Sequence, residues 1–425
     1  MNLKRSFVLF VPLLFLNLLS AEGKILTIED AVRLAKENNI SVKKAENDLD
    51  SLAVQNKYSW NSVSPAAKLN GNFEDDIEND STAFSLSGAV SLSLKTNLYS
   101  EIKGAKLNYE KGLLTYSEAV RQIELSVRKK FYNLIYQKEN LVLQNRSLET
   151  SRAQYLNNEE KFKNGKISEL DAFTSRVNYE SKKPVVESAE INFQNDLASF
   201  KQLLGIPQET EIALDGSLDD FLNLKEISFG LLPKVDEPAP DVKSAEYDVE
   251  IAKNSLLNLR FSAYAPVITG SYSYGKSKKS MQDDWMTINQ LSVGVSVPLD
   301  GILPWSSSAV KIKEQKNALD TAEKVLEDAK TTVAVQTESY IRKINQAVKQ
   351  LDSLKSTEKL AEQTYKMTLA AYNYGKTDFL SLQNANDSVL SAGVNLKSQA
   401  YTLISTILDL ESVLGLEFGT LETKK

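Results

Sequence analysis

The chain has 425 residues, a net charge of −6, and neither cysteine nor histidine. Without these residue types, disulfides, Ser-His and Cys-His nucleophile pairs and ordinary catalytic zinc sites are excluded. The acidic balance argues against a nucleic-acid partner, which would require a basic patch. Only carboxylate or lysine chemistry would remain for an enzyme, and we expect no cofactor and no metal.

Residues 1–21 have the features of a secretory signal peptide. Lys4 and Arg5 give a positive start, the run from Phe7 to Leu19 is mostly apolar, and small residues follow it. The run is too short to span a bilayer, so we predict that it directs export and is removed. No later segment approaches the roughly 18 consecutive apolar residues of a membrane helix. A chain that crosses a membrane would then have to use strands.

The rest of the chain contains an internal duplication. The matching segments are VKKAENDLD at 42–50 and VKSAEYDVE at 242–250, KFKNGKISELDAF around Gly165 and YNYGKTDFLSL around Gly375, and LLG at 203–205 and VLG at 413–415. A duplication of nearly the whole chain indicates one structural unit used twice. The function should therefore arise from placing copies side by side.

The first copy, residues 22–205, predicts a helix, a hairpin and two further helices. Thr27 and Asp30 fit a capping box at the start of the first helix, and Pro65 ends it. The predicted elements are a helix over 27–62, strands over about 66–73 and 84–94, and helices over 100–163 and 168–204.

The second copy, residues 241–415, repeats this order. Its predicted elements are helices over 241–263, 306–373 and 378–414, with strands over about 267–275 and 290–299. Residues 206–240 are rich in proline and acids and predict an irregular equatorial connector with a short strand or helix. Residues 416–425 form a tail.

The strands alternate between apolar and small polar residues. From Phe84 to Leu94 the alternation has a period of two, which is a strong strand signal. A half-buried strand of a soluble sheet is the alternative interpretation. Strands of about ten residues cross a bilayer when tilted, and a face of serine, glycine, threonine and asparagine suits a wet lumen. We expect Leu86, Val90, Leu92, Val293 and Val295 to face lipid and Ser87, Ser91 and Ser296 to face the lumen.

The long helical patterns predict coiled-coil rods. Sixty-odd residues rise roughly 100 Å, and Gly165 and Gly375 end the outgoing rods in tight turns. The return helices, which end at Gly205 and Gly415, are too short to match the rods. We expect the helix that precedes each hairpin to stack on the return helix end to end.

Four strands of membrane length cannot close a barrel, because open strand edges in lipid leave backbone groups unsatisfied. Single-chain barrels begin at about eight strands, so three protomers of four strands would give twelve. The predicted fold class is mainly α with a β-barrel part. It is a duplicated helix–hairpin–long helix repeat that forms a trimeric 12-stranded outer-membrane β-barrel continued by a long periplasmic α-helical barrel.

Taken together and in order, these motifs resemble the TolC-type outer-membrane efflux protein family over about residues 25–415. The segments that carry the resemblance are LTIEDAVRLAKENN, Pro65 and Pro266 before the first strands, VSVPLDG at 295–301, NGKISELDAFTSRVNYE, YNYGKTDFLSLQNAND, and the LLG and VLG ends. The resemblance implies a homotrimer that docks onto a periplasmic adaptor (membrane fusion) protein and an inner-membrane pump of the RND or ABC type. The first strand exit, SLSLKTNLYS, lacks the proline and glycines often found there.

The resemblance also implies roles for the two turns. The expected tip and adaptor contacts are Asn164, Gly165, Lys166, Ile167, Ser168, Tyr374, Gly375, Lys376, Thr377 and Asp378. The expected gate links join the Asp171 carboxylate to Lys376 or to the Tyr372 hydroxyl, and a solvated turn lysine is the alternative for Lys376. Ser381 and Asn384 stand where relatives often carry acids, so we expect the closed tip to bind cations less strongly.

Two other functions are weighed against an export duct in a tripartite efflux or type I secretion system. A structural or adhesive coiled-coil surface protein would explain the rods but not two hairpins with serine-rich faces. A carboxylate enzyme such as a glycosidase would use the acids, but these share their helices with lysines, as solvated faces do. We therefore expect that the protein is not an enzyme. The sequence does not identify the exported substrate or the class of the pump.

Overall fold

The computed structural model describes residues 24–76, 81–223, 238–279 and 283–421. The predicted signal peptide lies outside the described residues, as do parts of the connector and the tail. None of the described helices is long and apolar enough to cross a membrane.

Two copies of a helix–hairpin–long helix unit follow each other. The first contains β1 (Lys24–Leu26), α1 (Ile28–Asn38), α2 (Ile40–Lys57), β2 (Ala66–Asp76), β3 (Ser81–Lys95), α3 (Leu98–Lys163) and α4 (Glu169–Leu204). After β4 (Ile212–Leu214), the second contains α5 (Pro240–Tyr264), β5 (Val267–Lys278), β6 (Met286–Ser296), α6 (Ser307–Asn373) and α7 (Phe379–Leu414). Short 3₁₀ helices lie at Ser59–Val63, Asp219–Asn223 and Asp300–Ile302.

The predicted first helix over 27–62 is in fact two helices that meet at Asn39. The Asn39 side chain accepts a hydrogen bond from the Ser41 N–H at 2.8 Å and donates to the Leu203 carbonyl at 2.8 Å. Its extended backbone conformation ends α1 and caps α2. A capping asparagine inside an otherwise helical pattern is the local signal for this break.

The two hairpins form one antiparallel sheet in the order β2-β3-β5-β6. The register aligns Leu92, Gly270 and Val293 in one apolar rung and Ser91, Ser271 and Ser292 in the next. Directly opposed residues share a face of a sheet. The predicted lipid-facing and lumen-facing sets therefore lie on opposite faces of the sheet.

The last strand differs from its predicted span of 290–299. β6 begins at Met286, opposite Ser277, and ends at Ser296. Pro298 cannot donate a ladder hydrogen bond, and the Ile302 N–H bonds the Leu299 carbonyl at 3.1 Å instead. The chain thus leaves the sheet earlier than the alternation alone suggests.

The return helices stack end to end on the helices that precede the hairpins. Gly205 ends α4 with a φ of 68°, and a Cβ at this position would lie 2.7 Å from the Asn38 Cβ. Gly415 ends α7 with a φ of 71°, where a Cβ would lie 3.0 Å from the Pro240 Cδ. Left-handed backbone and close approach both require glycine here. The junctions give each broken rod nearly the length of α3, whose 66 residues rise roughly 100 Å.

Helix packing arranges the lower part of the rod in the order α4, α3, α7, α6. The interior near the middle of α3 is apolar, with fully buried Phe131, Leu134 and Phe200 packed near Leu403. Towards the turns polar residues join the buried set, beside the apolar Phe379 and Leu382. The buried polar residues are Ser147, Ser151, Asn158, Ser175, Asn178 and Asn386.

The connector crosses the middle of this rod. β4 pairs with β1 in parallel, and the Lys397 ammonium lies 2.8 Å from the Glu139 carboxylate and 2.7 Å from Asp219. Burial lowers the pKa of Lys397, but the hydrogen bonds to the two carboxylates outweigh it and raise the pKa. The connector is therefore tied to α3 and α7 by a half-buried charge cluster.

Glu411 holds the described part of the C-terminal tail. This fully buried side chain accepts hydrogen bonds from the Gly419 N–H at 3.0 Å and the Leu421 N–H at 2.8 Å. Burial raises the pKa of Glu411, and the two N–H groups offset this only in part. The Arg121 guanidinium lies 4.8 Å from the centre of the Phe418 ring. The tail is thus packed against the equator of the rod.

Glu124 joins α1 to α3. Its carboxylate lies 2.6 Å from the Lys36 ammonium and 2.9 Å from the Arg128 guanidinium. Burial raises the pKa of Glu124, but the hydrogen bonds from the two cations outweigh it and leave the pKa below its ordinary value.

Candidate functional site

The two turns that end the rods have the same backbone geometry. Gly165 and Gly375 have φ values of 67° and 70°. The Gly165 N–H bonds the Phe162 carbonyl at 2.8 Å, and the Gly375 N–H bonds the Tyr372 carbonyl at 3.0 Å. The duplicated glycines therefore place two equivalent turns at the tip, as the sequence predicted from their left-handed preference.

The residues after each turn begin the return helices. The Ser168 hydroxyl accepts from the Asp171 N–H at 3.1 Å and donates to the Asp171 carboxylate at 2.8 Å. In the second turn, Asp378 accepts from the Ser381 N–H at 2.7 Å. Hydrogen bonds from the Ser381 side chain and backbone lower the pKa of Asp378. Asp171 and Ser381 thus have roles in helix capping that their gate assignment did not include.

The remaining turn residues differ in their exposure to solvent. Asn164, Lys166, Tyr374 and Lys376 are exposed, whereas Ile167 and Thr377 are half-buried. Asn384 is exposed as well. Exposed polar groups at both turns give the tip a surface that a partner can reach.

Tyr372 packs against α3 close to the tip. Its hydroxyl donates to the Asn158 Oδ1 at 2.6 Å, and the Lys161 ammonium lies 4.7 Å from its ring centre. Burial raises the pKa of Tyr372, and the nearby carboxylate of Asp171 raises it further. Within one protomer, Asp171 and Tyr372 are therefore close, but the hydrogen bond of the phenol goes to Asn158. Asn158 is 1% exposed and lies seven residues after the buried Ser151 of α3, and this heptad spacing of polar residues was the signal that could have identified it.

A partly buried polar cluster joins the two helical hairpins above the tip. The Lys182 ammonium lies 2.7 Å from the Asp387 carboxylate and 2.8 Å from the Ser147 hydroxyl. The Asn386 amide donates to the same hydroxyl at 3.3 Å. Sequence reasoning missed this cluster because each member looks like an ordinary helix-surface residue.

The outer helices of the protomer present apolar stripes. Exposed apolar side chains follow α4 at Leu170, Phe173, Val177, Val185 and Ile191 and follow α6 at Val325, Val335, Leu360 and Met367. Within the described chain, α4 and α6 stand at the two ends of the helix order, and β2 and β6 stand at the two edges of the sheet. One protomer is therefore a wall segment that is open on both sides.

A sheet with one apolar and one small-polar face, continued by a rod roughly 100 Å long, defines a protomer of a membrane channel with a long tunnel. The model of the outer membrane efflux protein family matches residues 231–416. Outer membrane protein TolC of Vibrio cholerae is 19% identical over 306 residues, which are 71% of this chain and 69% of that protein.

Solved channels share the fold. The CmeC outer membrane channel of Campylobacter jejuni matches with a TM-score of 0.77 at 18% identity, over 91% of this chain and 85% of its own. The open-state MtrE outer membrane channel of Neisseria gonorrhoeae matches with a TM-score of 0.70 at 19% identity, over 92% and 89%.

The chain matches the outer membrane efflux protein family over residues 231–416 and has the fold of solved outer membrane channels. It is an outer-membrane channel that serves as an exit duct, and its helical part lies in the periplasm. The family is a transport family rather than an enzyme family.

Proposed function

We propose that three copies of this chain close into one duct that passes substrates from an inner-membrane pump and a periplasmic adaptor to the outside. The observation that carries the proposal is the four-stranded sheet with β2 and β6 at its edges. Unpaired backbone groups in lipid cost several kcal/mol each. Pairing β2 of one copy with β6 of the next removes these edges, and three copies give twelve strands.

The helices support the same closure. In circular order α4 of one copy meets α6 of the next, and both carry exposed apolar stripes. Burial of such stripes stabilises helix association by roughly 25 cal/mol per Å². The sheets and the helices of neighbouring protomers therefore meet along the same two sides of each protomer.

The tip residues serve in this proposal as the adaptor contact. Six turns ring the mouth of a trimer, because Gly165 and Gly375 end equivalent rods in each copy. A side chain at either glycine has free space but strained backbone, since nothing lies within 4 Å of an added Cβ while φ is positive. Substitution at these positions should alter the turn and leave the wall unchanged.

The gate in this proposal joins neighbouring copies. The Tyr372 hydroxyl is held by Asn158 of its own chain, whereas Lys376 is exposed. The Asp171 carboxylate of one copy then meets the Lys376 ammonium of the next. Such exposed pairs are worth at most about 1 kcal/mol each, so threefold repetition gives a closure that is firm and reversible.

Native mass spectrometry of detergent-solubilised protein tests the assembly. We expect three copies, and a stable monomer with an ordered four-stranded sheet would refute the proposal. Export assays test the tip: Gly165→Val and Gly375→Val should abolish export and keep trimer and membrane insertion. Gly270→Ala is the matched control, because that glycine has free space and no positive φ. Normal export by both tip variants would rule out the turns as the docking site.

A further inference from the structure

The chain leaves β6 through an apolar segment that belongs neither to the sheet nor to the helical rods. We call residues 297–305, VPLDGILPW, the exit loop. Its large side chains point outward: Leu299 is 64%, Ile302 67% and Trp305 78% exposed. Asp300 is its single charged residue. An apolar patch of this kind on a folded chain marks an interaction surface.

The exit loop is held in a fixed conformation. The Tyr264 hydroxyl donates to the Gly301 carbonyl at 3.0 Å, and a Cβ at Gly301 would lie 2.5 Å from the Tyr264 ring. The Ser306 N–H bonds the Leu303 carbonyl at 3.0 Å, and the Ser306 hydroxyl caps α6. The loop is thus clamped to the end of α5, and its apolar side chains are displayed and not folded inward.

The first repeat has no such loop at the equivalent exit. β3 ends at Lys95, and α3 begins at Leu98. Between them Asn97 is buried and donates to the Asn258 side chain at 2.8 Å. The apolar loop is therefore not needed to join a strand to a rod, since the first copy makes that connection with a short polar turn.

We propose that the exit loop inserts into the periplasmic leaflet of the outer membrane and anchors the start of the tunnel to phospholipid. The proposal rests on the proposed membrane placement of the sheet. Val293 and Val295 lie on the apolar face of β6, and Val297 and Leu299 continue this exposed series beyond the strand. The helices begin at this end of the sheet, so the leaflet is the periplasmic one.

The chemistry of the loop fits a lipid interface. Trp305 has an apolar ring and one N–H donor, and tryptophan concentrates at the level of the lipid headgroups. Ile302 and Leu303 are purely apolar and suit the acyl chains, which lie deeper in the membrane than the headgroups. Three loops in a trimer would form an anchor at one height around the duct.

Tryptophan fluorescence can test the insertion, because the chain has only three tryptophans. The variant Trp60→Phe/Trp285→Phe keeps Trp305 alone. The variant Trp60→Phe/Trp305→Phe keeps Trp285 alone, whose ring lies 5.6 Å from that of Phe84 on the apolar face of the sheet. Each trimer is reconstituted into phosphatidylethanolamine–phosphatidylglycerol vesicles with or without brominated acyl chains. The negative control carries Tyr374→Trp at the exposed tip in a background with all three tryptophans replaced by phenylalanine.

We expect brominated lipid to remove most of the emission of Trp305 and of Trp285 but not that of the tip tryptophan. Quenching of Trp285 without quenching of Trp305 would overturn the anchor. A blue-shifted, unquenched Trp305 would show that a second copy covers the loop, and a red-shifted one would show water. If neither tryptophan is quenched, the membrane placement of the sheet fails and the anchor fails with it. Quenching of Trp305 alone would place the loop in lipid without the sheet, which would overturn an anchor that continues the lipid face of β6.

Discussion

Replacing one apolar wall residue by arginine tests which face of the sheet meets lipid. Val293 lies in an apolar rung with Gly270 and Leu92 and is 74% exposed in the protomer. Ser292 directly precedes Val293 in β6 and lies on the opposite face. The two positions are adjacent along the strand and would lie at nearly the same depth in the membrane. Ser292→Arg is therefore the matched control for Val293→Arg.

The expected penalty is large on one face only. An arginine that faces lipid near the midplane costs roughly 2–4 kcal/mol. Three copies of Val293→Arg would then cost at most roughly 6–12 kcal/mol per trimer if the sites are independent, because Val293 lies three residues from the end of β6 and the penalty falls towards the interface. This is comparable with the whole unfolding free energy of a typical domain, about 5–15 kcal/mol. At Ser292 the guanidinium would reach a wet lumen, where a substitution away from packed groups costs no more than about 0.5 kcal/mol.

The assay is the yield of heat-modifiable trimer on gels from purified outer membranes. We expect Val293→Arg to remove nearly all assembled trimer and Ser292→Arg to leave the yield close to that of the wild type. Equal losses, or a larger loss for Ser292→Arg, would show that the apolar face does not meet lipid.

Three further predictions concern the rods. In planar bilayers, Asp171→Ala and the pair Tyr372→Phe with Lys376→Ala should conduct more than the wild type, because polar links at the tip are lost; equal conductance would show that these residues do not hold the gate. Glu411→Ala should speed hydrogen exchange in the tail, since the buried Leu421 N–H and the half-buried Gly419 N–H lose this acceptor, at up to about 1–3 kcal/mol each, and unchanged exchange would contradict the role of Glu411 in holding the tail. Because its pKa is lowered, Glu124 contributes stability above its unfolded pKa of about 4.3, and this is lost as the pH falls through the folded pKa. Glu124→Gln should therefore melt earlier at neutral pH and lose that acid dependence, and a melting profile unchanged across pH would refute the link.

The sequence was informative where a pattern repeats or where one residue type is required. The duplication predicted the two units, because the same elements recur in the same order. The glycines at 165 and 375 predicted the turns, because left-handed backbone favours glycine. The alternation in the four strands predicted their faces, which the register then aligned across the sheet.

The sequence was less informative where contacts between distant parts of the chain determine the local structure. The break at Asn39 has a local signal in its capping side chain, but the same side chain also bonds the Leu203 carbonyl, a contact that no local pattern contains. The partner of Tyr372 proved to be Asn158, because helix packing and not spacing sets which residues meet at the tip. The lipid-facing side and the gate remain predictions, since a single protomer shows neither membrane nor neighbour.

The distribution of buried groups along the rod explains why closure belongs at the tip. Near the equator, separating the helices would expose side chains such as Leu134 and Leu403, at about 1.5–3 kcal/mol for each fully buried residue. Near the turns the buried groups are mixed: Asn158 and Asn386 would exchange protein hydrogen bonds for water, at a net cost of about 0.5–1.5 kcal/mol each, whereas Phe379 and Leu382 are buried apolar side chains. Because fewer large apolar side chains are buried near the turns than at the equator, the lower part separates at a lower cost. The duplication brings both turns of each copy to one level. The six helix ends that separate at the lowest cost in a trimer therefore lie around one mouth, where a few polar links control the opening.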